Sequence, residues 1–309
     1  MKVCGFTFIR NAEKFDFPIV EAITSVLPVC DHFVVAVGNS DDNTREIIKK
    51  ISPEKITIID TVWDENLQEG GAVYASETDK AFDAVPPEYD WCFYIQGDEV
   101  VHEKYLPAIQ KAMHENLEKN DVEGLLFRYK HFYGTFDYVA VSRKWYRNEI
   151  RIIRNDKSIR SYRDAQGFRK NGRKLNVVPV DAEIYHYGWV RHPRFMQEKI
   201  DEVRKFYDGI LAAEARQKVG EQEFNYSGKY DMLAKFEGTH PSVMKNRIQR
   251  LNWQVDVDLS KIRMKPKYRV LHFIEKTFGV RLFEYRNYKV IRKNDSSFHN
   301  FTCHHFIFP

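Results

Sequence analysis

Strand-like and helix-like segments alternate through roughly the first 120 residues, and this alternation constrains the fold more than any other feature of the sequence. Short apolar runs rich in β-branched and aromatic residues are typical of buried strands. Four such runs occur in order: KVCGFTFI, HFVVAVG, KITIIDTVW and DWCFYIQ. Segments with apolar residues at helical spacing separate them. Four βα repeats predict an α/β fold with a mostly parallel central sheet flanked by helices.

Polar residues follow each of the four predicted strands. In a parallel sheet the carboxyl ends of the strands meet at one edge, where ligands bind. Carboxylate oxygens suit Mg²⁺ or Mn²⁺, which bind through one or two carboxylates and the phosphates of a substrate. The residues expected at this edge are Arg10 and Asn11, Gly38 to Asp42, Trp63 to Glu65, and Gln96 to Glu99.

The pattern changes near residue 122. GLLFRYKHFYG and NVVPVDAEIYHYGWV read as strands, with a polar, basic stretch between them, and the character becomes helical beyond Arg194. We therefore expect a first domain over residues 1–195. A mainly helical, basic and aromatic region is expected over residues 196–309.

Composition narrows the class of protein. A net charge of +4 is too mild to indicate nucleic acid as a partner. No apolar run approaches the roughly 18 residues that span a bilayer. Arg10 and Asn11 interrupt the first apolar run, which favours a strand over a signal peptide. The four cysteines form no CxxC pair, so we expect reduced thiols in a cytoplasmic protein.

The segment from residue 261 to residue 293 is unusually basic. It holds eleven Lys or Arg and two acids, a net charge of +9, with aromatic residues interleaved. One interpretation is a surface that meets anionic lipid or a charged acceptor, giving peripheral contact with the inner membrane surface. The other is a basic helix packed by its aromatic face onto the domain. Farther on, HNFTCHH could bind a soft metal, although an exposed tail with chance histidines is the favoured interpretation.

Four ordered motifs, FTFIRNA, NSDDNT, GGAVYASETDKAF and DWCFYIQGDE, resemble those of glycosyltransferase family 2 over residues 1 to 190. The resemblance implies a GT-A, Rossmann-like fold with a helical C-terminal extension. It implies inverting transfer of a sugar from a UDP- or GDP-linked donor to a hydroxyl of a glycan or lipid-linked acceptor, with Mg²⁺ or Mn²⁺ as cofactor. In this sequence NSDDNT occupies the position of the family's nucleotide loop, and IQGDE occupies the position of its metal-binding DxD motif.

The resemblance also implies roles for individual residues. Asp98 and His186 would hold the metal, and Glu99, Trp189 and Arg191 would meet the diphosphate or the acceptor. There are departures: Val37 and Gly38 replace two aspartates, and Gln96 replaces the first Asp of DxD and brings no charge. The nucleotide would be bound by Thr7, Arg10, Asn11, Asp41, Asp42, Gly71, Gln96 and Gly97.

An inverting transfer needs a base that takes the proton of the acceptor hydroxyl, usually a carboxylate. Asp164 in SYRDAQGF lies about where the family places its base, with Asp156 and Asp181 as alternatives. Asp164 could instead be a loop carboxylate paired with Arg163 or Arg169. His186, Trp189 and Arg191 could likewise close a strand-to-helix corner by packing alone.

Two other functions stay open. A nucleotidyltransferase on a similar sheet would need a glycine run in the first loop, which FTFIRNAEKF lacks. A catalytically silent nucleotide- or glycan-binding module is supported by Gln96, because loss of one metal carboxylate can mark a retired active site.

Overall fold

A computed structural model describes residues 1–209, 223–227 and 229–291. The HNFTCHH motif lies outside the described residues. The strands are β1 (Val3–Ile9), β2 (His32–Gly38), β3 (Ile56–Thr61), β4 (Trp91–Tyr94), β5 (Glu99–Val101), β6 (Gly124–Tyr133), β7 (Thr135–Ala140), β8 (Asn148–Arg154), β9 (Ile159–Tyr162), β10 (Gly167–Lys170), β11 (Arg173–Lys174), β12 (Asn176–Trp189), β13 (Leu233–Lys235) and β14 (Lys289–Val290). The α-helices are α1 (Ile19–Val26), α2 (Thr44–Lys49), α3 (Ala72–Asp83), α4 (Leu106–Glu115), α5 (Pro193–Tyr207), α6 (Lys245–Gln249) and α7 (Pro266–Phe278).

The four predicted strands form a parallel sheet in the order β3-β2-β1-β4. Phe6 at the centre of β1 pairs with Val34 of β2 and with Tyr94 of β4. This order is that of one half of a Rossmann-type sheet, whose ligands bind beyond the carboxyl ends of the strands. The predicted fold class, an α/β fold with a Rossmann-like central sheet flanked by helices, is confirmed.

Antiparallel strands extend the sheet beyond β4. β8 pairs with β4, and β6 pairs with β8, both antiparallel, while the long strand β12 runs parallel to β6. The short strand β5 pairs antiparallel with β12, and its register sets Glu99 opposite His186. This pairing brings the end of the fourth predicted strand beside the IYHYGW segment.

The core lies on both faces of the sheet. Ile23 of α1 and Ile109 of α4 are fully buried on one face, and Phe82 of α3 is fully buried on the other. Phe6 contacts the rings of Phe82 and Tyr94 at centroid distances of 5.3 and 5.2 Å. Each buried aromatic side chain contributes about 1.5–3 kcal/mol to folding, so these contacts fix the strands whose ends form the polar edge.

The C-terminal half also contributes to the sheet, through β13 on β7 and β14 on β12. The division of the chain at residue 195 stays a prediction. Among the described residues, no helix combines the length and apolar character that crossing a bilayer requires. Cys4, Cys30 and Cys92 are buried free thiols, and burial raises the pKa of Cys4 to about 12.

Candidate functional site at the carboxyl edge of the sheet

The loops after β1 and β2 are joined by hydrogen bonds. Asn11 has a left-handed backbone with φ of 53°, which asparagine tolerates better than most residues. Its side-chain oxygen accepts from the backbone N–H of Asp41 at 2.9 Å, and its own N–H donates to Ser40 Oγ at 3.0 Å. Two predicted nucleotide-binding segments thus form one continuous loop surface.

Asp41 and Asp42 have different surroundings in this loop. Asp42 accepts from the backbone N–H groups of Lys14, at 2.8 Å, and Thr44, at 2.9 Å, so its carboxylate holds the loop and the start of α2. Asp41 is exposed and pairs with the Lys14 ammonium at 2.6 Å, a hydrogen bond that lowers the pKa of Asp41. Asp41 is therefore the more open carboxylate.

Arg10 and Trp63 form a second part of the edge. The Arg10 guanidinium lies 5.4 Å from the centre of the Trp63 ring, and its Nε donates to the carbonyl of Asn39 at 3.1 Å. The buried indole N–H of Trp63 has no hydrogen-bond partner among the described residues. A Cβ at Gly38 would lie 2.4 Å from that nitrogen, so the indole excludes the aspartate that the family pattern places there. Thr7, by contrast, is fully buried within β1.

Gln96 and Gly97 continue the edge after β4. The Gln96 amide nitrogen donates to the carbonyl of Ala165 at 3.2 Å and to the Tyr94 hydroxyl at 3.3 Å. Gln96 therefore connects the end of β4 to the turn that carries Asp164. Gly97 allows a close approach, since a Cβ there would lie 2.9 Å from Ile9 Cδ1.

Glu99 is fully buried, and its carboxylate is held by partners inside the protein. Its two oxygens accept from Nε and Nη2 of Arg151 at 2.8 and 2.7 Å, and one also accepts from the Tyr129 hydroxyl at 2.7 Å. Paired and hydrogen-bonded in this way, a carboxylate is stable inside a protein. The structure thus places Glu99 in an internal ion pair with Arg151, a residue that the sequence did not indicate.

Asp98 is nine-tenths buried at the centre of the edge and lies among three basic side chains. Lys199 Nζ donates to Asp98 Oδ2 at 3.0 Å, and Arg191 Nη2 lies 3.7 Å from the same oxygen. Burial acts to raise the pKa of Asp98, but the positive charges of Lys199 and Arg191 outweigh it and hold the pKa well below its usual range. Asp98 is therefore ionised at neutral pH.

His186 faces the other oxygen of Asp98, with Nε2 and Oδ1 3.7 Å apart. His131 Nε2 lies 2.8 Å from the carbonyl of Tyr146 and must donate to it, because a carbonyl only accepts. His131 Nδ1 then accepts from His186 Nδ1 at 3.0 Å. The Nε2 lone pair of His186 is therefore free toward Asp98. Burial lowers the pKa of His186 to about 4, which keeps the ring neutral.

Asp98 Oδ1 and His186 Nε2 are suitable ligands for the metal that the resemblance implies. A neutral imidazole nitrogen and a carboxylate oxygen are both ligands of Mn²⁺ or Mg²⁺, and such ions take further oxygens from phosphates and water. A Cβ at Gly188 would lie 2.5 Å from His186 Nε2 and 3.1 Å from Asp98 Oδ2, so glycine keeps this space open. No third His, Cys, Asp or Glu in the described part of the chain completes a protein-only site.

Arg191 and Lys199 bring positive charge to the same place. Arg191 is fully buried, with Nε donating to the Phe15 carbonyl at 2.8 Å and Nη2 without a hydrogen-bond partner in the described residues. Burial, followed by the charge of Arg191, lowers the pKa of Lys199 to about 8. Lys199 lies on α5, outside the motifs, and no periodicity or motif in the sequence indicated it.

Trp189 is part of an aromatic cluster. Its ring stacks on Tyr133 at 6.0 Å and meets Trp145 edge-on at 6.1 Å. These contacts close the corner between β12 and α5, which was one of the two interpretations of this segment.

Asp164 lies in the turn between β9 and β10, next to the edge. Arg163 and Ala165 on either side have φ of 58° and 62°, a strained conformation that clusters at functional sites. The Tyr207 hydroxyl donates to Asp164 Oδ2 at 2.9 Å. Gly71 packs closely against the Asp164 side chain, because a Cβ on Gly71 would lie 2.9 Å from Asp164 Cβ.

The other candidate carboxylates have partners elsewhere. Asp156 binds Lys170 at 2.8 Å, and Asp181 binds Arg128 at 2.9 Å on the surface of the sheet. Arg169, one predicted partner of Asp164, instead donates to the carbonyl of Asn287 at 2.9 Å. Of the three candidates, the structure brings Asp164 to the polar edge.

The fold and this edge define an α/β protein with a Rossmann-like sheet and a polar site at the carboxyl ends of its strands. No protein-family model matches the chain, and no curated protein sequence matches it. Solved structures are similar over part of its length. TarS from S. aureus matches with 16% identity and a TM-score of 0.38, over 66% of this chain and 39% of that chain.

Two further solved structures are similar in the same way. Glucosyl-3-phosphoglycerate synthase from Mycobacterium tuberculosis, in complex with Mn²⁺, UDP and phosphoglyceric acid, matches with 16% identity and a TM-score of 0.28, over 43% of each chain. 4-Diphosphocytidyl-2C-methyl-D-erythritol synthase from Anaerococcus prevotii matches with 11% identity and a TM-score of 0.35, over 70% of this chain and 96% of that chain. The chain spans less than two thirds of TarS and of the M. tuberculosis protein, and overlap at these TM-scores carries no conclusion about chemistry.

Proposed function

We propose that the protein transfers a sugar, with inversion, from a nucleotide-diphosphate donor to a hydroxyl acceptor at the carboxyl edge of the sheet. The observation that carries this proposal is the group around Asp98. Four groups converge at the end of β4: an ionised carboxylate, a neutral imidazole, a lysine, and a buried arginine whose Nη2 makes no hydrogen bond within the described residues. This is the combination of charges that a metal-bound diphosphate requires.

Different residues of the edge are assigned to the nucleotide, the diphosphate and the metal of the donor complex. Arg10, Asn11 and Asp41 face the nucleotide, and Lys199 and Arg191 face the diphosphate. Asp98 and His186 would hold Mg²⁺ or Mn²⁺, which as a Lewis acid would neutralise charge on the leaving phosphate when bound. UDP and GDP both stay open as the nucleotide.

The transfer itself exchanges one bond for another. The acceptor oxygen forms a bond to the anomeric carbon, and the bond from that carbon to the diphosphate oxygen breaks, its electron pair leaving with the diphosphate. The proton of the acceptor hydroxyl passes to Asp164. Lys199 and Arg191 stabilise the negative charge that develops on the leaving diphosphate.

Release of nucleotide from UDP-glucose, UDP-N-acetylglucosamine and GDP-mannose in the presence of Mn²⁺ tests the proposal, with calorimetry for binding of UDP and GDP. We expect one nucleotide to bind and its sugar conjugate to be hydrolysed slowly without acceptor. Binding without turnover for any donor and acceptor would favour the silent binding module. Absence of binding to every nucleotide and nucleotide sugar would rule out both.

A further inference from the structure

A cavity lies beside Asp164. It has a volume of about 430 Å³ and is bounded by the segment from Arg143 to Glu149, the turn that carries Asp164, and the chain from Lys267 to Tyr288. Asp164 thus lines this groove, and its Cβ also lies against Gly71 at the edge of the sheet. Of the groove residues, only Asp164 belongs to the predicted donor and base set.

The floor of this groove carries polar atoms without partners. Glu149 Oε2 and Asn287 Oδ1 are buried and make no hydrogen bond within the described residues. Both side chains are more than nine-tenths buried and line the groove. A buried polar atom without a partner costs about 1–3 kcal/mol, and a ligand that hydrogen-bonds to these atoms would recover that cost.

Glu149 is suited to donate a hydrogen bond to such a ligand. Burial raises the pKa of Glu149 to about 8, opposed by the charge of Arg151. A protonated carboxyl at neutral pH is both a donor and an acceptor. Asn287 Oδ1 beside it is an acceptor, so the two groups match the hydroxyls of a polyol or a sugar.

The rim is aromatic and basic. Tyr268 and Tyr285 line the groove and are about half and two thirds exposed, and exposed rings are surfaces on which sugars stack. Lys144 and Lys267 are exposed, and no interaction within the described part of the chain engages their ammonium groups. Free ammonium groups of this kind bind phosphate as point charges.

We propose that this groove is the acceptor subsite, and that it takes a hydroxyl-bearing acceptor that also carries phosphate. The inference rests on the proposed function, which supplies the donor at the edge of the sheet and Asp164 as the base. Glu149 and Asn287 bind acceptor hydroxyls, the aromatic rim stacks on the acceptor, and Lys144 and Lys267 bind its phosphate. Asp164 then lies between acceptor and donor, where a base must be.

Calorimetry with glucose 6-phosphate, glucose and inorganic phosphate tests the inference. We expect glucose 6-phosphate to bind more tightly than either of the others, because it alone offers both hydroxyls and phosphate. Lys267→Glu and Lys144→Glu should each weaken this binding about fivefold, the order expected for an exposed charge contact. Lys50→Glu, on an exposed lysine outside the groove, is the matched control and should leave it unchanged.

Equal affinities for glucose 6-phosphate and inorganic phosphate would reduce the groove to a simple anion patch and overturn the inference. So would equal affinities for glucose 6-phosphate and glucose, or native affinity in both groove variants. Donor hydrolysis, measured in the same variants without acceptor, separates this result from failure of the proposed function. It should keep its native rate in Lys267→Glu and Lys144→Glu.

Discussion

Lys199 on α5 donates to one oxygen of Asp98 at 3.0 Å, while His186 faces the other oxygen from β12. One oxygen, Oδ2, thus meets the positive charge of Lys199, and the other, Oδ1, faces the lone pair of the neutral His186 ring. Asp98 thus stays ionised in a buried position, and its Oδ1 and His186 Nε2 are the two atoms proposed to hold a cation. Without Lys199 the carboxylate would lose its hydrogen bond from an ammonium group. Without His186 it would lose the second ligand proposed for the cation.

Asp98→Asn should therefore weaken metal-dependent binding of the nucleotide. Asparagine keeps the shape of the side chain but removes its charge. The affinity for UDP in the presence of Mn²⁺ should therefore fall by at least about tenfold, as expected when a metal site loses a charged ligand or a residue that orients one. His186→Gln should have a similar effect. Calorimetry with Mn²⁺, and again with EDTA, measures it.

Asp181→Asn is the matched control, because that carboxylate pairs with Arg128 and its side chain is 75% exposed. It should bind as the native protein does. Native affinity in Asp98→Asn with Mn²⁺ present would place the metal elsewhere.

Asp164→Asn should separate catalysis from donor binding. The amide cannot take the acceptor proton, so kcat should fall by about 100- to 10,000-fold, the range typical for loss of a general base. The KM for the donor should change little, because the nucleotide-binding residues are untouched. Steady-state kinetics with a working acceptor provide both values, and a variant with native kcat would exclude Asp164 as the base.

The edge could be predicted from the sequence because βα repeats give parallel strands, whose carboxyl ends lie at one edge whatever their order. The ends of β1, β2 and β4, with Asn11, Asp41 and Asp98, were expected together and lie at one edge of the sheet. The pairing of His186 with Asp98 was implied only by resemblance. Its physical cause is the antiparallel pairing of β5 with β12, a contact between segments more than 80 residues apart.

Other parts had no signal in the sequence. The predicted polar, basic stretch between β6 and β12 contains β8, which inserts into the sheet, and the smaller sheet of β9, β10 and β11. Its Arg151 looks like one more surface charge until Glu99 is known to be buried opposite it. Lys199 and Glu149 were missed for the same reason: their roles arise from long-range packing, which local patterns do not specify.

Helix α7 and the chain after it should bind anionic membranes. The helix buries Leu271 but leaves Phe273 and Phe278 about two thirds exposed, and Phe283 beyond it is 87% exposed. With the surrounding lysines and arginines, this surface suits a lipid headgroup layer. Cosedimentation with vesicles of phosphatidylcholine and phosphatidylglycerol should show binding, and vesicles of phosphatidylcholine alone should show much less.

Phe273→Ser and Phe278→Ser should each weaken binding to the anionic vesicles by about tenfold, as expected for losing one inserted phenyl ring. Donor hydrolysis in solution should be unchanged. Equal binding of native protein and both variants would show that these rings do not insert.

Glu149 should make the stability of the protein depend on pH. Its pKa is about 8 in the folded protein, because of burial, against an ordinary value of 4.5. Between these values the folded state holds a proton that the unfolded state has released. The free energy of unfolding therefore falls as pH rises from about 4.5 to about 8, and this contribution is constant outside that window.

Glu149→Gln removes the ionisable carboxyl group while keeping a side chain of the same shape. Chemical denaturation at several pH values should show the variant gaining stability relative to the native protein as pH rises through this window. The charged groups around Glu149, namely Arg151, Glu99, Asp164 and Arg169, remain in both proteins, so the difference between them isolates Glu149. Parallel stability curves for the two proteins from pH 5 to pH 8 would mean that Glu149 ionises normally in the folded state. The floor of the groove would then carry a negative charge and repel the phosphate-bearing acceptor proposed for it.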